Sequence, residues 1–276
     1  MEQRSLRKEK MTNIRMTLKC NPTFRATTDH VEKKIERKQR RTSISYGDVD
    51  LMPKYKEDFL SDEEETNSSL FHERYTTGEK AGEGAHGVVK LCEDKNTGSI
   101  QAVKTLVLEA EDILLMKKNF TDIRSLSHPN ILRYKSLYLE PKNSRCYLVM
   151  DLFPYPELEN VQIQDEQELK EIFHQLLETI KYLHKNKICH RDIKPENILY
   201  NQLSREIKLI DFGISKKVEE RGRKREMLTL TGTPYYRAPE MFSGGGYDHM
   251  VDLWAVGVTL FKLMTGFTPF ESEYHS

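Results

Sequence analysis

The run His190-Arg191-Asp192-Ile193-Lys194-Pro195-Glu196-Asn197 places a carboxylate, an ammonium and an amide close together in the chain. A carboxylate at Asp192 could accept the proton of an attacking hydroxyl, and the amide of Asn197, five positions on, could reach a metal ion. Pro195 stops a preceding helix from continuing, so the run reads as a loop. An ordinary charged surface loop gives no reason for His, Arg, Asp, Lys and Asn to fall together at these offsets. Further on, Asp211-Phe212-Gly213 follows the short apolar stretch Ile207-Lys208-Leu209-Ile210. A carboxylate at the end of a buried strand, beside a glycine, is suited to holding Mg²⁺ against phosphate oxygens. Asp-x-Gly turns are common, so this run gains weight only beside the first.

Two further runs point to phosphate. Gly82-Glu83-Gly84-Ala85-His86-Gly87-Val88-Val89 is a G-x-G-x-x-G-x-V pattern, whose glycines let backbone N–H groups approach phosphate oxygens. A dinucleotide-binding turn has the same glycine spacing but runs from a strand into a helix. Here Val88-Val89-Lys90-Leu91-Cys92 is apolar and β-branched, so the glycines lie between two strands and a nicotinamide enzyme is disfavoured. Lys104 closes Ala102-Val103-Lys104 at a strand end, where an ammonium could touch nucleotide phosphates. Taken alone, a surface lysine at a strand edge is the commoner case.

The elements that must position these groups follow from periodicity. Residues 88–92 and 101–104 read as strands around an Asn96-Thr97-Gly98 turn, and Cys146 to Met150 as another strand. Helical spacing runs through Ile113, Met116, Phe120, Ile123 and Leu126, and through Leu169, Ile172, Leu176, Ile180 and Leu183. Asp252-Leu253-Trp254 opens the most apolar helix. Strands first and helices later predict an α+β chain with a β-rich lobe followed by a helical lobe. Residues 1–72 differ: basic up to Arg41, then acidic around Asp62-Glu63-Glu64-Glu65, with sparse apolar residues. They read as a disordered arm with a transient helix near 30–40, leaving a domain over 73–276, N-lobe 73–153 and C-lobe 154–276.

Lys and Arg together number 43, as do Asp and Glu, so no global pull toward nucleic acid or a membrane surface is expected. The apolar stretch Leu253 to Phe267 is interrupted by Lys262 and falls short of the roughly 20 residues a membrane span needs. Cys20, Cys92, Cys146 and Cys189 form no Cys-x-x-Cys pair, which fits a reducing compartment, the cytoplasm or nucleus.

In this order and spacing the runs resemble the eukaryotic protein kinase superfamily of the serine/threonine type, and are similar to its calcium/calmodulin-dependent group. The resemblance implies a bilobal fold with ATP and Mg²⁺ between the lobes, and transfer of the γ-phosphate to protein hydroxyls. Gly82, Gly84 and Gly87 would then cover the phosphates and Lys104 orient them. Asp192 would serve the nucleophile, Lys194 steady the transferring group, and Asn197 and Asp211 hold the metal. Val89, Ala102 and Leu199 match the residues that enclose the adenine. Met150, Asp151, Phe153 and Glu157 continue the nucleotide site through the gatekeeper, the hinge and the helix after it. His190 and Phe212, with Ile123 and Tyr134, match a stacked spine, and Asp252 the acid that braces the catalytic loop. Lys194 and Gly232-Thr233-Pro234 carry the serine/threonine assignment. Glu157 and Glu196 match carboxylates that bind basic substrate residues, which implies arginine at the third position before the target. Thr229 matches an activating phosphosite, whose phosphate would pair with Arg191 after an upstream kinase acts. Arg40 lies three residues before Ser43, a spacing that suits a basic-directed kinase acting on this same chain.

Two departures stand out. The helix glutamate that pairs with the strand lysine in active kinases falls here on Asn119, an uncharged partner for Lys104. The C-lobe is also expected to lack its last helices, which would leave the outer face of the helix at 253–266 exposed and Glu240 without its arginine. Both imply reduced activity, and they keep open an alternative: a kinase-like scaffold or pseudokinase with weak or no catalysis.

Overall fold

The computed structural model describes residues 68–84, 87–107, 110–140, 144–212, 216–217, 219–220, 223–224, 227 and 231–270. The expected helix near 30–40, Arg40, Ser43 and Thr229 lie outside the described residues. Two compact units are present. Among the described residues the first holds 68–113 and 136–152, the second 114–135 and 153–270.

The first unit is built on a five-stranded sheet in the order β1-β2-β3-β5-β4, formed by β1 (Tyr75–Gly84), β2 (Gly87–Asp94), β3 (Ile100–Val107), β4 (Tyr134–Glu140) and β5 (Arg145–Met150). Asp94 makes the β2–β3 turn by accepting from the backbone N–H groups of Asn96 and Thr97 at 2.9 and 3.2 Å. Strand alternation splits the side chains between two faces. One face carries Cys92, Val103, Tyr147 and Val149, which cluster with Tyr75 and Tyr138. Helix α1 (Ser68–Arg74) covers it, setting Phe71 against Tyr147 with ring centroids 4.4 Å apart. Arg74 adds an ion pair to Asp94 at 3.1 Å.

This helix corrects the expected arm. A boundary at residue 73 would cut through α1, whose Phe71 is wholly buried. Leu70 and Phe71 are too few to show helical periodicity, yet one aromatic ring in a complementary pocket is enough to anchor a short helix.

The second unit centres on α3 (Glu166–Lys185), where the chain length before it includes α2 (Ala110–Arg124). Asp165 caps α3 by accepting from the Glu168 N–H at 2.7 Å, and the expected apolar positions Ile172, Leu176, Ile180 and Leu183 are buried. A short strand pair β6 (Ile188–Cys189) and β9 (Lys216–Lys217) and a hairpin β7 (Ile198–Asn201) and β8 (Glu206–Leu209) follow. Helix α4 (Val251–Thr265) closes at Gly266, left-handed at φ 85°.

The later stretch of the second unit begins at Phe153, and residues 114–135, expected in the first lobe, belong to the second unit. The cause is a set of bonds to the β7–β8 hairpin and to α3. Leu132 N–H donates to the Leu209 carbonyl at 3.0 Å, Leu209 N–H donates to the Asn130 carbonyl at 2.8 Å, and Asn130 Nδ2 donates to Gln175 Oε1 at 2.8 Å.

Phe71→Ala should lower unfolding free energy by about 3–5 kcal/mol, the usual cost of emptying a buried aromatic site. Chemical denaturation checks it; a loss under about 1 kcal/mol would mean that α1 is not part of the folded unit.

Candidate active site

The catalytic loop hangs from one buried carboxylate. Asp252, in the first turn of α4, has no exposed surface. Its Oδ1 accepts from the Arg191 N–H at 2.8 Å, and its Oδ2 from the His190 N–H at 2.9 Å and from His184 Nε2 at 2.8 Å. Burial pushes its carboxyl up, but the His184 bond, the His190 and His184 rings and the Arg191 N–H together hold it below the ordinary value. Arg191 is left-handed at φ 69°. A non-glycine residue there costs about 1–3 kcal/mol, and charged hydrogen bonds of about 1.5–3 kcal/mol each can offset that cost.

The bend sets up Asp192. Its Oδ1 accepts from Thr233 Oγ1 at 2.8 Å and from the Thr233 N–H at 3.0 Å. Its Oδ2 accepts from Asn197 Nδ2 at 2.9 Å and lies 3.3 Å from Lys194 Nζ. Lys194 donates to Thr233 Oγ1 at 2.7 Å, so lysine, threonine and aspartate form one chain of hydrogen bonds. Burial pushes the Asp192 carboxyl up; the Thr233 hydroxyl, the Lys194 charge and Asn197 bring it below its ordinary value. Asp192 is therefore a carboxylate at neutral pH. Gly232 makes the close approach possible: a Cβ there would sit 2.4 Å from the Arg191 carbonyl oxygen. Arg237 fixes the same peptide, donating from Nη2 to the Gly232 carbonyl at 2.6 Å.

Asp211 follows β8 and is also left-handed, at φ 62°. Its N–H donates to the Tyr134 hydroxyl at 3.1 Å, while Ile210 N–H donates to the Asn197 carbonyl at 2.9 Å. Phe212 packs edge-on between Tyr134 and His190, at 6.0 and 4.7 Å between centroids. Buried Ile123 belongs to the same unit.

The donor set fits Mg²⁺. Both hydrogens of Asn197 Nδ2 are used on Asp192, on its carbonyl at 2.7 Å and its carboxylate, which leaves the amide oxygen to ligate. Among the described residues no group of three or more His, Cys, Asp or Glu could hold a metal alone. One carboxylate and one amide oxygen, completed by phosphate oxygens and water, is a usual arrangement for this hard cation.

The remaining expected residues lie on the first unit's sheet and beside β7. Gly82 pairs with Val89, Gly84 with Gly87, Val89 with Lys104, Lys104 with Leu148, and Ala102 with Met150. Directly opposed residues share a face, so Val89, Ala102, Lys104 and Met150 present side chains to the face that α1 does not cover. Gly87 is at φ 133°, and a Cβ there would meet the Thr105 carbonyl at 2.3 Å. The glycines thus join two strands, β1 and β2, as the residue types suggested. Asp151 lies one residue before the end of the first unit at Leu152, and Phe153 begins the later stretch of the second, 4.8 Å from Tyr155 between ring centroids. Glu157 was expected in a helix; it is extended, at φ −63° and ψ 143°, and bridges antiparallel to Leu199 on β7. Pro156 cannot donate a helical hydrogen bond, and its carbonyl instead accepts from Tyr200 N–H at 2.9 Å. Asn119 is half-buried in α2.

Sequence reasoning missed His184, Arg237 and Lys262. A histidine in the last turn of an amphipathic helix carries no signal of its own. Lys262 did carry one, as the lone charge inside the stretch from Leu253 to Phe267.

The chain belongs to the protein kinase domain family, whose model matches residues 75–276. Mouse Aurora kinase B is 34% identical over 100% of this chain and 76% of its own length. Human calcium/calmodulin-dependent protein kinase type IV is 35% identical, over 84% of this chain and 48% of its own. Mouse serine/threonine-protein kinase 33 is 31% identical, over 96% of this chain and 54% of its own. The chain thus spans about three quarters of the first of these relatives and about half of the other two. Proteins of this family generally use ATP and Mg²⁺.

Asp252 also sets a pH dependence. A carboxylate held below the ordinary value of about 3.9 contributes its full stability above that pH and loses it as pH falls through the lower native value. Asp252→Asn should therefore cost about 2–4 kcal/mol near neutrality, with the gap to the native chain closing below about pH 4. Urea unfolding across pH checks this; a gap independent of pH would contradict it.

Proposed function

We propose that this chain transfers the γ-phosphate of ATP to serine or threonine hydroxyls of protein substrates, and favours targets with arginine three residues before the hydroxyl. The observation that carries the reading is the Lys194–Thr233–Asp192 chain, with Thr233 Oγ1 2.7 Å from Lys194 Nζ and 2.8 Å from Asp192 Oδ1. It keeps a buried carboxylate ionised and turns one lysine toward it, as a base and a charge stabiliser require. Bound Mg²⁺ would supply charge neutralisation to the triphosphate. Asp211 and the amide oxygen of Asn197 would hold it. Gly82, Gly84 and Gly87 would present backbone N–H groups to the phosphates, and Lys104 would orient them. Val89, Ala102, Met150 and Leu199 would enclose the adenine, with Asp151 and Phe153 at its polar edge.

Glu157 and Glu196 would receive the substrate arginine. Burial raises the Glu157 carboxyl, and the charges of Glu196 and Glu159 raise it further, against Lys194; an incoming cation would relieve that repulsion. Asn119 stands where the resemblance expects a glutamate to pair with Lys104, so turnover should be modest, and it is the feature that favours a scaffold reading. Phosphorylation of Thr229 by an upstream kinase, in the cytoplasm or nucleus, completes the proposal.

Transfer of label from γ-labelled ATP to a serine peptide with arginine at the third position before the serine tests the reading. Asp192→Asn should lower kcat by about 10²–10⁴-fold while thermal stabilisation by Mg²⁺·ATP persists. Equal, background-level transfer by both forms would favour the scaffold.

A further inference from the structure

Helix α4 carries two charged residues, Asp252 at its start and Lys262 in its last turn. Lys262 does not extend into solvent; its side chain is only 18% exposed. Its Nζ lies 2.9 Å from Glu159 Oε2 and 3.7 Å from Glu196 Oε1, and 6.0 Å from the centroid of the Tyr236 ring. Burial opposes its charge, but the Glu159 bond leads the interactions that hold the ammonium protonated above its ordinary range. Glu157 belongs to the same patch, since Glu196 and Glu159 both raise its carboxyl. Glu159 and Glu196 therefore share Lys262, while the cation that acts on Glu157 is Lys194.

The patch also holds unspent polar capacity. Tyr236 is 5% exposed and its hydroxyl interacts with Lys262. Burial first, and then the Glu196 charge, push that hydroxyl up to about 12, opposed by Lys262. Glu196 Oε2 is buried without a hydrogen-bond partner among the described residues. A buried acceptor left unmade beside a charge cluster is costly, and an arriving donor would relieve it.

We propose that Lys262 is a specificity-determining residue, an internal basic side chain that occupies the Glu159–Glu196 end of the acidic patch and leaves room for one substrate arginine rather than two. The proposal rests on the reading of Glu157 and Glu196 as the arginine-binding carboxylates. An arriving guanidinium finds Glu157 and the open oxygen of Glu196. A second would meet the Lys262 ammonium, and like charges side by side reject a partner more effectively than a missing contact does. A second arginine is thereby left without net gain, and the single-arginine preference is kept.

The test compares peptides carrying one arginine at the third position before the serine with peptides in which a second arginine is moved through the other preceding positions. For the native chain the second arginine should change kcat/KM by less than about twofold at every position. In Lys262→Met it should raise kcat/KM by about tenfold at one position, and by more in Lys262→Glu, the gain lying in KM. Lys262→Arg should behave as the native chain does. Where a melt shows Lys262→Met to be poorly folded, Lys262→Gln replaces it, with the same expectation. A native chain that already gains about tenfold from the second arginine, or Lys262 variants that match it, would overturn the proposal. Replacing the single arginine by alanine, and Glu157→Gln, test the underlying reading separately. If neither lowers kcat/KM, that reading falls and this inference with it; if both do while the Lys262 variants change nothing, only this inference falls.

Discussion

A negative charge with no access to water organises the catalytic half of this protein. Isolated, the Asp252 carboxylate would be among the most expensive groups in the fold. It is tolerated because the His190 and Arg191 N–H groups and the His184 ring donate to it. Those donors can converge only if the chain reverses sharply at Arg191, and the left-handed φ of 69° is that reversal. The brace and the strain are therefore one device. The cost of the conformation and the cost of the buried charge offset each other, and the product is a fixed origin for Asp192.

From that origin the second layer of contacts runs to the segment after Asp211. Thr233 reaches back to Asp192 with both its backbone N–H and its hydroxyl, and Gly232 allows the approach. Upstream in the same segment, Met227 is buried and exchanges two backbone hydrogen bonds of 3.1 Å with Tyr247. Cys189, Ala238, Met241 and Val251 pack around that pair. Cys189, shortly before Asp192, and Ala238, shortly after Thr233, thus share one core, so a disturbance of the segment reaches Asp192 through Thr233.

Much of this was legible in the residues. The period of α3 and the β-branched run after Gly87 identified their elements, because burial on one face leaves a repeat in the sequence. Asp192, Lys194, Asn197 and Asp211 stand out in the sequence by residue type and spacing, and the fold brings Lys194 and Asn197 against Asp192. The missed features lack repetition. Phe71 anchors α1 through a single ring, which no periodic signal can reveal. Segment 114–135 joins the second unit through long-range backbone bonds to Leu209, made by groups that every residue carries. Glu157 was placed in a helix by analogy, whereas Pro156 and the bridge to Leu199 keep it extended. His184 and Lys262 act across the fold, and their partners Asp252 and Glu159 are far away in sequence.

Hydrogen exchange at the His190 and Arg191 amides reads the brace directly, because both N–H groups donate to Asp252. In the native chain these amides should exchange slowly. In Asp252→Ala they should exchange at least about tenfold faster, while amides in the middle of α3 keep their protection. Unchanged protection at His190 and Arg191 in that variant would show that the loop is held by something other than the buried carboxylate.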